Sequence, residues 1–263
     1  MTEVVSQRPV PAWKRGAVEH PEDVRKVLAI FNKITPTTTN GFISQILSIN
    51  VLENPDEETV DPKDGAKMKP IIDAIISKYK ENDLATSIKA NSHLVASLMS
   101  EWRGRQKNVF KRLMLETVEN HFKSYLASEL FEDHVQKEER QVIPCVNLLS
   151  MLFTVSTYKN ENIIPIHIAF KGLYMFIGPE LNKLEVFNRS LFRCYDIMKD
   201  HPLFEKFFKG VIIDNLEKVS TSEDVYSKLR FECKDLILYM KDGSLSSKLR
   251  DQKKDMEINQ IVL

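Results

Sequence analysis

From about Pro21 to about Met240, apolar residues recur at every third or fourth position almost without interruption, and the gaps between runs carry Pro, Gly, Asn or Asp. That spacing lays the apolar side chains along one stripe of an α-helix, and no stretch alternates convincingly with the period of two that a half-buried strand needs. In the first run, Val24, Val27, Leu28, Phe31 and Ile34 share one helix face. Thr35-Pro36 then reads as a cap followed by a first-position proline, because proline lacks only an amide that a helix start leaves unpaired anyway. The next run holds Phe42, Ile43, Ile46, Leu47 and Ile49.

An acidic stretch follows, with Glu53, Asp56, Glu57, Glu58, Asp61 and Asp64 opposed only by Lys63. It reads as a solvating loop or as a face for a basic partner. Beyond it the runs come in pairs: one starts near Met68 with Pro70 close to its beginning, and its mate covers Asp83 to Trp102. A third pair spans about Asn108 to Ala127 and His134 to Tyr158, a fourth Ile163 to Phe176 and Glu180 to Lys199, and a fifth Leu203 to Lys218 and Glu223 to Met240. Successive pairs begin roughly 40 residues apart, the period of HEAT-like helical repeats. Each hairpin alone would leave an apolar face wet, so the expected fold is all-α: a HEAT-like solenoid of about five antiparallel helix pairs sharing a continuous core. An irregular helical bundle is the rival arrangement. Residues 1–20 read as an extended arm, 21–243 as the repeat domain, and 244–263 as a C-terminal extension of it.

Composition removes several function classes. With only 8 glycines in 263 residues, and none spaced to cradle a phosphate, the nucleotide-binding loops and the hydrolase elbow are missing. Lys plus Arg balances Asp plus Glu at 37 each, so any anionic partner must be met by a local patch. The six histidines are scattered, and Cys145, Cys194 and Cys233 stand far apart, which reads as buried free thiols of a reducing compartment. No metal site, no cofactor and no catalytic constellation is expected. The beginning of the chain has no apolar leader, and no run approaches the roughly 18 apolar residues of a membrane span, so a cytoplasmic, monomeric binding protein is expected.

Two local features stand out. The segment from Glu101 to Arg112 carries Arg103, Arg105, Lys107, Lys111 and Arg112 against Glu101, interleaved with Trp102 and Phe110. It is a candidate RNA contact, phosphates on the cations and a base on a ring; otherwise it is a solvated interhelical loop with both rings in the core. A second basic stretch, Lys248, Arg250, Lys253 and Lys254, follows near the C-terminus. Trp13, between two prolines and two basic residues, has no local core to receive it. It either folds back on the domain or anchors another protein.

Several pieces together resemble the middle domain of eukaryotic translation initiation factor 4G. Asn32-Lys33-Ile34-Thr35-Pro36 is similar to that family's Asn-Lys-Leu-Thr-Pro turn after its first helix, and Phe42 to Ile49 resembles its second helix. Ala12-Trp13-Lys14 matches the aromatic element of the arm, Ser227-Lys228-Leu229-Arg230-Phe231 with Asp235 a late helix, and Asp251-Gln252 with Ile258 to Ile261 the close of the domain. Related helical repeat domains occur in RNA decay, splicing and nuclear cap-binding factors, but the Trp13 arm favours the initiation factor.

The resemblance implies a translation initiation scaffold that binds and stimulates the DEAD-box RNA helicase initiation factor 4A by holding its two RecA-like lobes, with mRNA and further initiation factors as additional partners. By position it implies helicase contacts at Phe31, Ile34 and Thr39, with Trp13 from the arm, and at Lys228 and Arg230 towards the other end. Position 39 departs from the pattern: the family usually has Phe there, so either Phe42 takes its place or the partner has co-adapted. Tyr125 to Phe131 matches the short peptide motif that docks cap-binding factors, but it falls in an apolar helical run where the same side chains are needed for packing. The alternative reading is a helical-repeat adaptor of mRNA processing or decay, bound to RNA or to another helicase.

Overall fold

The computed structural model describes residues 21–243 apart from 36, 54–61, 82–84, 128–141, 161–162 and 179. Trp13, the basic C-terminal stretch and most of the acidic segment therefore lie outside the described residues. Within them all regular structure is helical. The α-helices are α1 (Glu22–Phe31), α2 (Thr39–Leu47), α3 (Pro62–Glu81), α4 (Ala85–Glu101), α5 (Gly104–Ala127), α6 (Ile143–Thr157), α7 (Ile166–Tyr174), α8 (Leu181–Met198), α9 (Lys209–Thr221) and α10 (Ser227–Asp242). A 3-10 turn (Tyr158–Asn160) follows α6, and a π-helical turn (Phe204–Phe208) leads into α9.

Contacts run mostly between neighbours in the chain and between helices two apart, and α3 also packs on α6. Along the even helices, α2 packs on α4, α4 on α6, α6 on α8 and α8 on α10. Along the odd helices, α1 packs on α3 and α3 on α5. Glu119 on α5 reaches Lys171 on α7 at 3.8 Å, and Phe170 of α7 stacks on Phe208 at the start of α9. The buried apolar residues form one continuous cluster from Val24 to Met240.

The most buried element is α6, in which nearly every described side chain from Pro144 to Ser156 is shielded from solvent. A helix apolar on all sides is stable only when covered on all sides, and α6 touches α3, α4, α5, α7 and α8. Its polar residues are satisfied locally or by the neighbours: Ser150 and Ser156 donate to the carbonyls of Val146 and Leu152, and Asn147 donates to the carbonyl of Tyr79 at 2.9 Å while accepting from Arg193. All three cysteines are free and buried. Burial pushes the thiols upward, Cys194 and Cys233 to about 11, so they are held as inert thiols.

Three boundaries differ from the sequence expectation. α2 starts at Thr39 rather than at Pro36, because the threonines organise a separate turn: Thr38 Oγ1 accepts from the Thr35 amide at 3.0 Å and Thr39 Oγ1 donates back to the Thr35 carbonyl at 2.7 Å. α3 begins well before Met68, leaving Pro70 inside the helix. α5 begins at Gly104, so the basic segment is the first turns of a helix and not a loop.

Candidate functional site

The α1–α2 turn is built by burial on one side and hydroxyls on the other. Phe31 is 2% exposed and Thr39 is 4% exposed, with Ile34 also buried. As direct helicase contacts these three are corrected: Phe31 closes the α1 stripe, Ile34 packs under the turn, and the Thr39 hydroxyl is spent on the backbone. Lys78 of α3 holds the corner from outside, its ammonium 4.5 Å from the Phe31 ring centre and donating to the Phe31 carbonyl at 2.9 Å. A cation there meets the carbonyl end of the α1 dipole. Phe42 is half-buried against the core, and the surface of the turn is Lys33, Thr35, Thr37 and Thr38.

The basic segment divides in a way charge counting does not reveal. Arg105 is buried, its guanidinium Nε 3.0 Å from Asp64 of α3 and its Nη2 donating to the Glu53 carbonyl. It is therefore corrected from a candidate RNA contact to an interior ion pair. Beside it Gln106 is also buried; its Oε1 accepts from the amides of Val51 and Leu52 at 2.7 and 3.1 Å, and its Nε2 donates to the Ile49 carbonyl at 3.2 Å. Together they pin the chain after α2 onto α5. Trp102 and Phe110 pack edge to face in the core, 5.2 Å apart, so neither ring is available to a base.

Four cations remain towards solvent. Arg103 and Arg112 are exposed, whereas Lys107 and Lys111 are half-buried and tethered to the carbonyls of Ser100 and Ile163. Burial, and then the neighbouring charge of Lys107, lower the Lys111 pKa. Lys159 joins this edge from the 3-10 turn, 3.7 Å from Glu101. It sits 5.0 Å above the ring of Tyr158, which in turn faces His93 at 5.1 Å.

At the far end α10 buries Leu229, Cys233, Leu236, Tyr239 and Met240. Its outer face is unusual. Phe231 is 64% exposed and Leu238 is also exposed, with Lys228, Lys234 and Lys241 around them and Tyr226 protruding just before the helix. Lys228 is thus at the surface as expected, while Arg230 is half-buried. Sequence reasoning did not single out Phe231, Leu238 or Tyr226 as surface residues. The signal was present, since Phe231 and Leu238 lie seven positions apart and off the buried stripe.

Tyr125 is buried and so is not free to anchor a cap-binding factor; Phe131, at the other end of that motif, lies outside the described residues. Among the described residues no group of His, Cys, Asp and Glu is placed to hold a metal ion, and no described helix is long and apolar enough to cross a membrane. No family model matches the chain, and no curated protein matches it.

Proposed function

We propose that this chain is a HEAT-type helical-repeat scaffold of translation initiation that holds a DEAD-box RNA helicase of the initiation factor 4A class through two widely separated surfaces. The observation that supports the reading is the order of contacts: each even helix packs on the next from α2 to α10, and α1, α3 and α5 pack in turn. A helical-repeat array sets its first and last pairs at opposite ends. At the first pair stands the Asn32-to-Pro36 turn that resembles the family's motif; at the last, the Ser227-to-Phe231 helix that also resembles it.

The last pair adds a reason independent of resemblance. The face of α10 away from the core presents Phe231 and Leu238 among lysines, with Tyr226 protruding just before it. Exposed aromatics rimmed by charge are the composition of a protein-binding surface. At the first pair the contact falls to the side chains that are exposed, Lys33, Thr35, Thr37 and Thr38, with half-buried Phe42 and with Trp13 from the arm; Phe31, Ile34 and Thr39 shape the turn from inside.

Mechanistically, a scaffold that grips both RecA-like lobes stimulates ATP turnover by favouring one lobe separation, which narrows the free-energy gap between open and closed helicase. All bond-making belongs to the helicase, and the scaffold is non-catalytic and cytoplasmic in this reading. The test is capture of a purified initiation-factor-4A-type helicase by the full chain, repeated with Trp13→Ala and Phe231→Asp. Loss of capture by both, with the helical circular dichroism unchanged, supports the proposal; undiminished capture by both removes it.

The edge formed by Arg103, Lys107, Lys111, Arg112 and Lys159 supports a second reading, an adaptor that binds RNA directly. Its mark is a salt dependence of single-stranded RNA binding that shrinks by about one unit of log–log slope for each cation neutralised that had met a phosphate.

A further inference from the structure

All seven tyrosines of the chain lie among the described residues, and six of them are accounted for by packing or by their place in a helix. Tyr79, Tyr125, Tyr195 and Tyr239 are buried, and the hydroxyls of Tyr79, Tyr195 and Tyr239 bond Ser92, the Met240 carbonyl and Asp196. Tyr158 is half-buried against His93, its hydroxyl 3.3 Å from that of Ser97. Tyr174 is 51% exposed, but it ends helix α7 and follows Lys171, Gly172 and Leu173. Tyr226 is the exception. It is 71% exposed, more than any other large apolar side chain among the described residues, and it stands outside a helix.

The loop that carries Tyr226 connects α9 to α10 and reads Ser222-Glu223-Asp224-Val225-Tyr226, with Glu223 and Asp224 exposed as well. A kinase takes its substrate as an extended segment and sorts substrates by the charges around the acceptor residue. At both ends of this loop the backbone is already extended, with φ −72° and ψ 127° at Ser222 and φ −52° and ψ 136° at Tyr226. The loop's own backbone bond, from the Val225 amide to the Ser222 carbonyl, is long at 3.5 Å. Val225 is buried and anchors the middle, so straightening the segment lifts one small side chain and breaks little else, a local opening of the low-cost kind.

We propose that Tyr226 is a phosphorylation site, modified by a tyrosine kinase with a basic substrate groove that reads Glu223 and Asp224, three and two positions ahead of the phenol. In the transfer the phenol oxygen attacks the γ-phosphorus of the kinase's ATP, the bond from that phosphorus to the β–γ bridging oxygen breaks, ADP leaves, and the phenol proton passes to the kinase's catalytic base. The product carries about −1.5 to −2 charge at neutral pH. It stands at the start of α10, beside the face that presents Phe231 and Leu238, where it repels an acidic partner surface and attracts a basic one.

The test incubates the folded full chain with ATP, Mg²⁺ and the catalytic domain of a soluble tyrosine kinase that prefers acidic residues ahead of the tyrosine, and maps the product by peptide mass spectrometry. Expected is a single phosphate on Tyr226, lost in Tyr226→Phe and kept in Tyr174→Phe. Glu223→Lys combined with Asp224→Lys should lower the initial rate about tenfold or more at unchanged circular dichroism. Glu223→Gln with Asp224→Asn, which removes the charges without reversing them, should lower it in the same direction. The proposal is overturned by any of three results: no incorporation, phosphate on Tyr174 or another tyrosine in place of Tyr226, or a rate that neither pair of substitutions changes. Neither helicase nor RNA enters the assay, so its outcome is separate from both readings of the function.

Discussion

Gln106 supplies the turn after α2 with the hydrogen bonds that a neighbouring strand would give elsewhere: one oxygen accepts two amides and the nitrogen meets a carbonyl. Replacing it with Met keeps the volume and leaves two amides without an acceptor, each costing about 1–3 kcal/mol when buried. Gln106→Met should therefore destabilise by about 2–4 kcal/mol in urea unfolding, far more than an isosteric apolar swap. The adjacent Arg105–Asp64 pair behaves differently. Removing either partner strands a charge in the interior and costs about 3–5 kcal/mol, whereas Arg105→Met with Asp64→Leu recovers most of the loss. A double variant as unstable as the sum of the singles would contradict that account. His121 supplies the pH dependence. Burial, with Lys80 nearby, drops its pKa from the ordinary 6.5 to about 4. The unfolded chain then binds a proton between those values and the folded chain does not, so stability is complete above pH 6.5 and is lost progressively as the pH falls towards 4. Thermal melts of the wild type and of His121→Gln should diverge over that window, the wild type losing more.

At the scale of elements, small residues set how close helices come. Gly172 of α7 has no room: a Cβ built there would lie 3.1 Å from Leu149 and 3.2 Å from Phe122. Gly172→Leu should cost about 1–3 kcal/mol by overpacking against α5 and α6, read as a lowered urea midpoint at unchanged slope. That helices exist here, and roughly where, is legible in the sequence because each carries a three-and-four stripe that nothing else satisfies; α4, α8 and α10 fall close to where the stripes put them. The ends are less legible. Thr35-Pro36 carries a helix-start signal, but the hydroxyls of Thr38 and Thr39 bond the backbone of Thr35 and the helix starts at Thr39. The π turn left no trace, since Phe204, Phe207 and Phe208 fit an ordinary helix by spacing. Nor can a run of cations announce that Arg105 turns inward: its partner, Asp64, belongs to another helix, and only packing brings the two together.

For the molecule as a whole, the three-and-four spacing foretold an all-helical architecture, and the contacts supply what spacing alone lacks, which helices meet. The candidate contacts were legible only in part. Phe31 and Ile34 lie on the helix stripe, so the same apolar character that suggested an anchor is what buries them, while Phe231 and Leu238 were visible as departures from a stripe. A surface made by such departures is dispensable for folding. Phe231→Asp should accordingly shift stability by no more than about 0.5 kcal/mol while weakening any partner held by α10. The proposal that opposite ends of the helical array grip the two lobes of one helicase is decided by isothermal titration of the full chain with an initiation-factor-4A-type helicase. Expected is a one-to-one complex in which the chain binds the intact helicase more tightly than either isolated lobe and is weakened by Phe231→Asp through the loss of one lobe alone. Absence of heat with the intact helicase, or equal affinity for the whole protein and for a single lobe, would contradict it.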